Sequence, residues 1–447
     1  MKIEEIKHVN RTSIAIAEKH DIGLEESIEK MKSAKIALVA GEELKNSIPL
    51  QAAFLSTLNA GKRTFLKGVK CYIDDSVPNL LPVAGNNFSE VIANYGGLIT
   101  EDEPNSREQK LLFGIAPTDE NSIEVVCSAW QAGLNFYGDI RKVCPRSNTK
   151  VVVGGIAGAA LGLFHLFNRQ FSIIDNLTGL STGISLWTMN TSENWNAPEN
   201  EGPLNINFPK YIWSVGLGHL GQAYLWILGL MNSDTKETKI LLQDHDIIER
   251  ENIGSQVLCQ LSDEGKQKTR VCAAFLESLG LKTRIIEKPF LKEDQYQEWA
   301  KKYKILLNGV DNIETRKSID PNHFKLFLDG GTNGRLELLD SFTLRNFAVS
   351  NRNPEEIWKT NKNDDKALHR NLFKRIDKEN GCGQLINLGI STPFVGLFGG
   401  TILISELFRS LNKGIAHSSI SIQMRDLDSI RAISNLNYDN GLLNLAS

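Results

Sequence analysis

The sequence predicts an α/β fold built as two doubly wound units in tandem. Three observations carry this expectation. Short apolar runs ending in polar residues alternate with helix-like segments, the pattern of a mostly parallel sheet covered on both faces. A polar stretch with two prolines and no period, "NTSENWNAPENEGPLN" (Asn190–Asn205), divides the chain into halves of similar length. The halves also repeat each other's local pattern.

The repeat shows at two places. "AKIALVAGEELKNSIPLQAAFLSTL" (Ala34–Leu58) reads as strand, glycine turn and helix, and so does "YIWSVGLGHLGQAYLWILGL" (Tyr211–Leu230). Further on, "VGGIAGAALGLFHLFNR" (Val153–Arg169) precedes "GISLWTM" (Gly183–Met189), as "VGLFGGTILISELFRSL" (Val395–Leu411) precedes "SISIQM" (Ser419–Met424). Each pair is a helix of small residues followed by a β-rich segment. The first unit has one glycine at its opening turn where the second has three. We therefore expect a degenerate unit over residues 1–190, a linker over 191–206, and a functional unit over 207–447 with an insertion at about 350–392. Four further strands follow in the second unit: "KILLQDHD" (Lys239–Asp246), "TRIIEKPF" (Thr283–Phe290), "KILLNGVD" (Lys304–Asp311) and "KLFLDGG" (Lys325–Gly331). Ligands of such sheets lie beyond the carboxyl ends of the strands. The polar residues that end each strand are the ones to weigh.

Bulk composition excludes several classes. The 447 residues are 41% hydrophobic, enough for two or three cores, and the net charge is −3. No basic surface calls for nucleic acid or an anionic membrane. The six cysteines (Cys71, Cys127, Cys144, Cys259, Cys272, Cys382) are scattered without a CxxC pair. A zinc knuckle and a disulfide scaffold are therefore not expected, and a reducing cytoplasm is. "MKIEEIKHVNRTS" is too polar for a secretory signal. The apolar run Val151–Phe167 is short of a bilayer span and reads as a buried strand end and helix.

The strand Tyr211–Val215 runs into Gly216, Gly218 and Gly221, a Rossmann-like GxGxxG turn. Such a turn sets a nucleotide's phosphates on the free N–H groups of a helix N-terminus. Taken alone it fits NAD, FAD, ATP or no ligand. Asp244, 23 residues after Gly221, ends the next strand and can accept from ribose hydroxyls. "DHDIIERENIGSQ" (Asp244–Gln256), "GKQK" (Gly265–Lys268) and "NGVDNIETR" (Asn308–Arg316) then add amides, cations and acids. Hydride transfer has no evident use for these. Attack on an α-phosphate does, because it needs cations at the phosphates and a carboxylate for Mg²⁺.

Together "GLGHLG", "DHD", "NIGSQ", "GKQK" and "DNIETR", in this order over Tyr211–Gly331, resemble the ubiquitin-activating (E1-like) superfamily that includes ThiF and MoeB. The resemblance implies an adenylation domain in the second half and an inactive copy in the first. It implies Mg-ATP and the C-terminal tail of a ubiquitin-like protein as substrates. By position, Asp244 would hold the ribose, with Asp246 beside it. Asn252 and Lys268 would meet the phosphates, Gln256 would belong to the same nucleotide site, and Asp311 would place Mg²⁺. Arg316 would orient Asp311 or brace its loop. The chain would act as a monomeric pseudo-dimer or as a homodimer.

One departure stands out: the family's arginine in N-L-x-R-Q is Ser255, which can donate a hydrogen bond but brings no cation. Arg250, Lys266 and Arg270 lie near in sequence, and Arg11 in "HVNRTSIAI" could be supplied by the first unit. Cys382, in "NGCGQLINLGISTPFVGLFGG", matches the loop cysteine that takes the acyl group as a thioester before transfer to an E2-like acceptor. A thiolate is a good nucleophile toward an acyl-phosphate. Cys259 and Cys272 read as packing residues, and no metal besides Mg²⁺ is expected. His219, an x position of the glycine loop, reads as a capping or phosphate-side contact. "LDGGTNG" (Leu328–Gly334) reads as a strand end with close backbone packing. Three other readings remain open: a ThiF-like adenylyltransferase acting on a sulfur carrier or peptide without a thioester, a dinucleotide-dependent oxidoreductase, and a non-catalytic scaffold.

Overall fold

The computed structural model describes residues 10–100, 104–145, 149–177, 182–231, 237–350, 352–358 and 389–434. They form two sheets. The first holds β1 (Lys35–Ala40), β2 (Gly68–Tyr72), β3 (Leu98–Ile99), β4 (Lys110–Phe113), β5 (Ser122–Cys127), β6 (Gln131–Phe136) and β7 (Thr182–Ser185), in the order 3-2-1-4-5-6-7. The second holds β8 (Tyr211–Val215), β9 (Lys239–Gln243), β10 (Lys282–Ile286), β11 (Ile305–Asn308), β12 (Leu326–Thr332), β13 (Ser341–Asn346), β14 (His417–Gln423) and β15 (Asp426–Ser434), in the order 10-9-8-11-12-13-14-15. The first five strands of each sheet are parallel, and the later ones turn antiparallel at the same place, β5–β6 and β12–β13. Strand for strand, β8 to β14 retrace β1 to β7. The tandem repeat read from the sequence is therefore real at the level of topology.

The helices are α1 (Arg11–His20), α2 (Leu24–Ser33), α3 (Ile48–Thr64), α4 (Phe88–Asn94), α5 (Val153–Phe171), α6 (His219–Leu230), α7 (Lys268–Ser278), α8 (Ile313–Ser318) and α9 (Pro393–Leu411). The repeat pairs α3 with α6 and α5 with α9. These four pack on one another where the units join. Small residues make that possible. A Cβ at Gly155 of α5 would lie 2.1 Å from the Pro49 carbonyl oxygen of α3. The equivalent approach of α9 to α6 is close at Gly400, where a Cβ would lie 3.2 Å from that of Ala223. Phe394 of α9 sits against Phe164 and Phe167 of α5, with ring centroids 6.2 and 5.3 Å apart.

One hydrophobic core therefore runs through both units. Polar contacts within it also cross the boundary. The Trp226 indole N–H donates to Ser56 Oγ at 2.9 Å. Arg409, fully buried, pairs with Glu406 at 2.6 Å and donates to the Leu186 carbonyl of the first unit. Burial alone would raise the Glu406 carboxyl, but Arg409 and His417 hold it down at about 2. Helix α9 is long and apolar enough to cross a membrane, yet its whole length is buried here as a core helix.

The segment expected to be a polar linker is an ordered strap. Trp195 is buried against Val126 and Cys144, and the Trp130 indole N–H donates to the Pro203 carbonyl at 2.9 Å. Composition suggested a free connection; two tryptophans pin it to the first unit.

Candidate active site

The second unit's turn after β8 is built by glycine contacts. Gly216 has φ +79°, and a Cβ on it would lie 2.6 Å from the Val310 nitrogen. One on Gly221 would lie 2.0 Å from the Gly216 carbonyl oxygen, and one on Gly309 2.8 Å from the same atom. The turn is thus pressed against the end of β11. Gly218 differs: a Cβ there would meet nothing within 4 Å. Helix α6 begins just beyond it with no side chain capping its first N–H groups. An open face over uncapped amides is what an approaching phosphate requires.

The first unit keeps the outline of this turn without its open amides. A Cβ on Gly41 would lie 2.6 Å from the Gly114 carbonyl oxygen, repeating the contact between the ends of β8 and β11. After it comes a 3₁₀ turn, Glu42–Asn46, and Ser47 Oγ accepts from Leu50 N at 3.3 Å to cap α3. A hydroxyl occupies the amides and two acids precede them. Both features oppose an anion.

Strands β9, β8 and β11 are neighbours, so their carboxyl ends line one edge. At the end of β9, the Asp244 carboxylate accepts from Leu217 N at 2.5 Å and from Asp246 N at 2.8 Å. It ties the glycine turn to the next loop. Asp246 pairs with Lys268 at 2.7 Å, and Lys268 N donates to the Asp246 carbonyl at 3.0 Å, which sets the start of α7 beside β9. The ligand atoms of Asp244, His245 and Asp246 lie within 4.8 Å of one another. At the end of β11, Asp311 is exposed. Lys268, at the start of α7 beside β9, and Asp311, after β11, thus flank the β8 turn at one sheet edge; β9 and β11 themselves lie about 10 Å apart, two strand spacings.

Arg316 braces the loop. Its guanidinium donates to the Val310 carbonyl at 2.7 Å and to the Gly330 carbonyl at 3.0 Å. It also lies 3.4 Å from Asp329, a buried carboxyl on β12 whose pKa burial raises. Of the two roles expected for Arg316, bracing is the one with hydrogen bonds behind it.

The "NIGSQ" segment is more internal than expected. Asn252 Oδ1 accepts from Glu249 N at 3.0 Å as part of a capping box. Gln256 Oε1 accepts from Gln222 Nε2 at 2.7 Å, beside the buried Cys259 thiol. Ser255 is buried. Among the three basic residues near it in sequence, Lys266 pairs with Asp263, Arg270 pairs with Glu287, and Arg250 is exposed.

The first unit does reach this site. Arg11, at the start of α1, lies 3.2 Å from Glu251 and near enough to His219 to act on its charge. Its Nε is buried and has no partner among the described residues, as is true of Ser391 Oγ and Thr392 Oγ1 at the start of α9. His219 is no phosphate ligand. Its ring is partly buried, with Nε2 2.8 Å from the Thr392 carbonyl oxygen, and desolvation takes its pKa down to about 4, with Arg11 pressing the same way. Cys382 and most of the insertion lie outside the described residues.

Sequence reasoning missed Arg63. From α3 of the first unit this buried side chain donates to the carbonyls of Ile253 (2.5 Å), Val257 (3.0 Å) and Cys259 (2.8 Å). Asn59, one turn earlier, donates to the Val257 carbonyl at 2.9 Å. The first unit thereby holds the segment that carries Asn252 and Gln256. The i, i+4 pair Asn59 and Arg63 was the available signal, muted by the other polar residues of the same helix, such as Gln51, Ser56 and Thr57.

Known proteins resemble this chain over both units. Residues 35–185 match the family model of the BilD N-terminal domain, and residues 208–414 that of the BilD C-terminal domain. The chain is 27% identical over 402 residues to the bacterial E1-like protein BilD of Collimonas sp. (strain OK412), covering 86% of this chain and 84% of that one. The two models together span most of the chain, which belongs to the BilD family of E1-like proteins. This E1-like chain is also 30% identical over 164 residues to the NEDD8-activating enzyme E1 catalytic subunit of Caenorhabditis elegans, but covers only 35% of it. Escherichia coli MccB aligns with 70% of the chain at 15% identity and a TM-score of 0.37, too loose to place a residue.

Proposed function

We propose that this chain adenylates the C-terminal carboxylate of a ubiquitin-like protein with Mg-ATP and passes the acyl group to Cys382, for transfer to an E2-like acceptor. The observation that carries this reading is an open glycine turn with Lys268 and an unencumbered Asp311 at one sheet edge, while Arg11 of the other unit lies against Glu251 in the neighbouring segment. The ATP phosphates would lie over Gly218 on the amides that open α6, with Lys268 and Arg11 countering their charge. Arg11 is the cation best placed to stand in for the arginine missing at Ser255. Asp244 would reach the ribose while still holding the turn, because a carboxylate accepts several hydrogen bonds. Asp311 suits Mg²⁺, since no group among the described residues pairs with its carboxylate; a bound Mg²⁺ would neutralise phosphate charge.

The chemistry balances in two steps. A carboxylate oxygen of the tail bonds to the α-phosphorus, the bond to the β-phosphate bridging oxygen breaks, and pyrophosphate leaves. The Cys382 sulfur, having given its proton to solvent, then bonds to the acyl carbon, and AMP leaves. The test is ATP–pyrophosphate exchange dependent on a ubiquitin-like tail, together with Cys382→Ala. Retained exchange with loss of a reducible covalent adduct is the expected result. Exchange that does not depend on a tail defeats the first step, and an adduct that survives Cys382→Ala defeats the second.

A further inference from the structure

A groove of about 400 Å³ lies between the end of α3 and segment 250–261, lined by Asn10, Lys62, Arg63, Arg250, Cys259 and Gln260 among others. None of the glycine turn, Asp244, Asp246, Lys268 or Asp311 lines it. Three of its residues are cationic and none is acidic. Arg63 is 5% exposed, and its hydrogen bonds go to carbonyl and amide oxygens only. Lys62 donates to the Tyr95 carbonyl at 2.7 Å, again a neutral partner. Among the described residues no carboxylate pairs with Lys62, Arg63 or Arg250.

A buried guanidinium beside a half-buried ammonium with no counter-charge is expensive, because burial strips both of water. That strain is visible in Lys62, whose pKa is pushed down to about 8 by burial and by Arg63. We propose that this groove is a second anion site, separate from the nucleotide edge, which takes a small oxyanion of the phosphate class on Lys62, Arg63 and Arg250. A compact multivalent oxyanion matches this set: the exposed Arg250 fork can give two parallel hydrogen bonds and the Lys62 ammonium more, while Arg63, whose donors are taken by carbonyl and amide oxygens, adds its charge from the floor of the groove. The chain's overall charge is −3, so the groove is a local cationic feature and no part of a basic surface.

The test is calorimetric titration of the full chain with inorganic phosphate and with pyrophosphate, each with and without a saturating non-hydrolysable ATP analogue. Binding that survives the analogue is expected. It should weaken at least about tenfold in Lys62→Ala/Arg250→Ala, the loss of two charge-assisted contacts at the edge of the groove. Lys67→Ala, an exposed change outside the lining, should leave it intact. Tighter binding of pyrophosphate than of phosphate would identify a diphosphate as the natural occupant; equal binding would identify a single phosphate. The proposal is overturned if neither anion binds at millimolar concentration in the presence of the analogue, or if the double variant binds as the wild type does.

Discussion

Replacing Arg63 should uncouple the two units at the candidate site. The side chain supplies the donors for three carbonyls of segment 250–261, and Asn59 adds one more bond to Val257. Charge-assisted hydrogen bonds are worth about 1.5–3 kcal/mol each, so three of them set a ceiling near 5–9 kcal/mol. Two effects reduce that. Removing an unpaired buried cation recovers its desolvation cost, and the groove is open enough for water to replace part of the lost bonding. A net local loss of roughly 2–4 kcal/mol remains for Arg63→Met, which keeps the apolar stem, and slightly more for Arg63→Ala. Arg63→Lys should recover less than half, because three donors on one nitrogen cannot span three carbonyls. Amide hydrogen exchange of residues 253–259 reads this directly: at tenfold per 1.4 kcal/mol, Arg63→Met should speed exchange there by about 30- to 700-fold, with β1 and β8 little changed. Nucleotide affinity should fall in the same variant. Unchanged exchange in 253–259 would refute the clamp, whatever happened to activity.

Gly221→Ala should fold poorly or shift the turn, since its Cβ would lie 2.0 Å from a carbonyl oxygen; thermal unfolding and nucleotide binding should both suffer. Lys268→Ala and Asp311→Asn should each slow tail-dependent ATP–pyrophosphate exchange by about 10²-fold or more, the usual scale for one electrostatic group in a transition state. Arg11→Ala should slow exchange while leaving the first unit's fold intact, and Arg11→Lys should restore part of the rate; equal rates in all three would remove Arg11 from the site. His219 is partly buried and His165 buried, with pKa values lowered by desolvation to about 4 and about 3, so the native state keeps both neutral while the unfolded chain protonates them below about 6.5. Their contribution to stability is therefore lost as pH falls from about 6.5 toward 4, with a slope of about 2.7 kcal/mol per pH unit once both are charged in the unfolded state. His165→Gln should halve that contribution, read from urea midpoints at neutral and acid pH.

Much of the site was legible because its residues are tied to strand ends by spacing. A glycine at a turn pressed against the next strand cannot be anything else, and Gly216 and Gly221 announce themselves; the same need at Gly309 came only from the structure. Asp311 and Lys268 follow strands or open helices, so their edge could be assigned before the structure. What the sequence hid was competition for the same atoms. Asp244 and Asn252 both bind backbone amides, and Gln256 is turned inward to Gln222, because a buried polar atom takes whichever partner lies nearest. Arg63 stayed hidden for a different reason: its partners are carbonyls, which every residue carries and no spacing marks. Trp195 and Trp130 likewise turned an apparent linker into a strap, since two large apolar rings outweigh the polarity of their neighbours.

The sequence by itself determined the strand, turn and helix that open each unit, the turn that can accept a phosphate, and the loss of its glycines from the first unit, because these follow from local backbone geometry and near-neighbour spacing. Only the tertiary structure decided that the first unit is a working part of the second: Arg63 and Asn59 hold its loop, and Arg11 stands at its edge. Those contacts join residues about 200 positions apart in the chain, and which carbonyl lies within reach of a buried guanidinium is settled by how α3, α5, α6 and α9 pack, a property of the folded core that no short stretch contains.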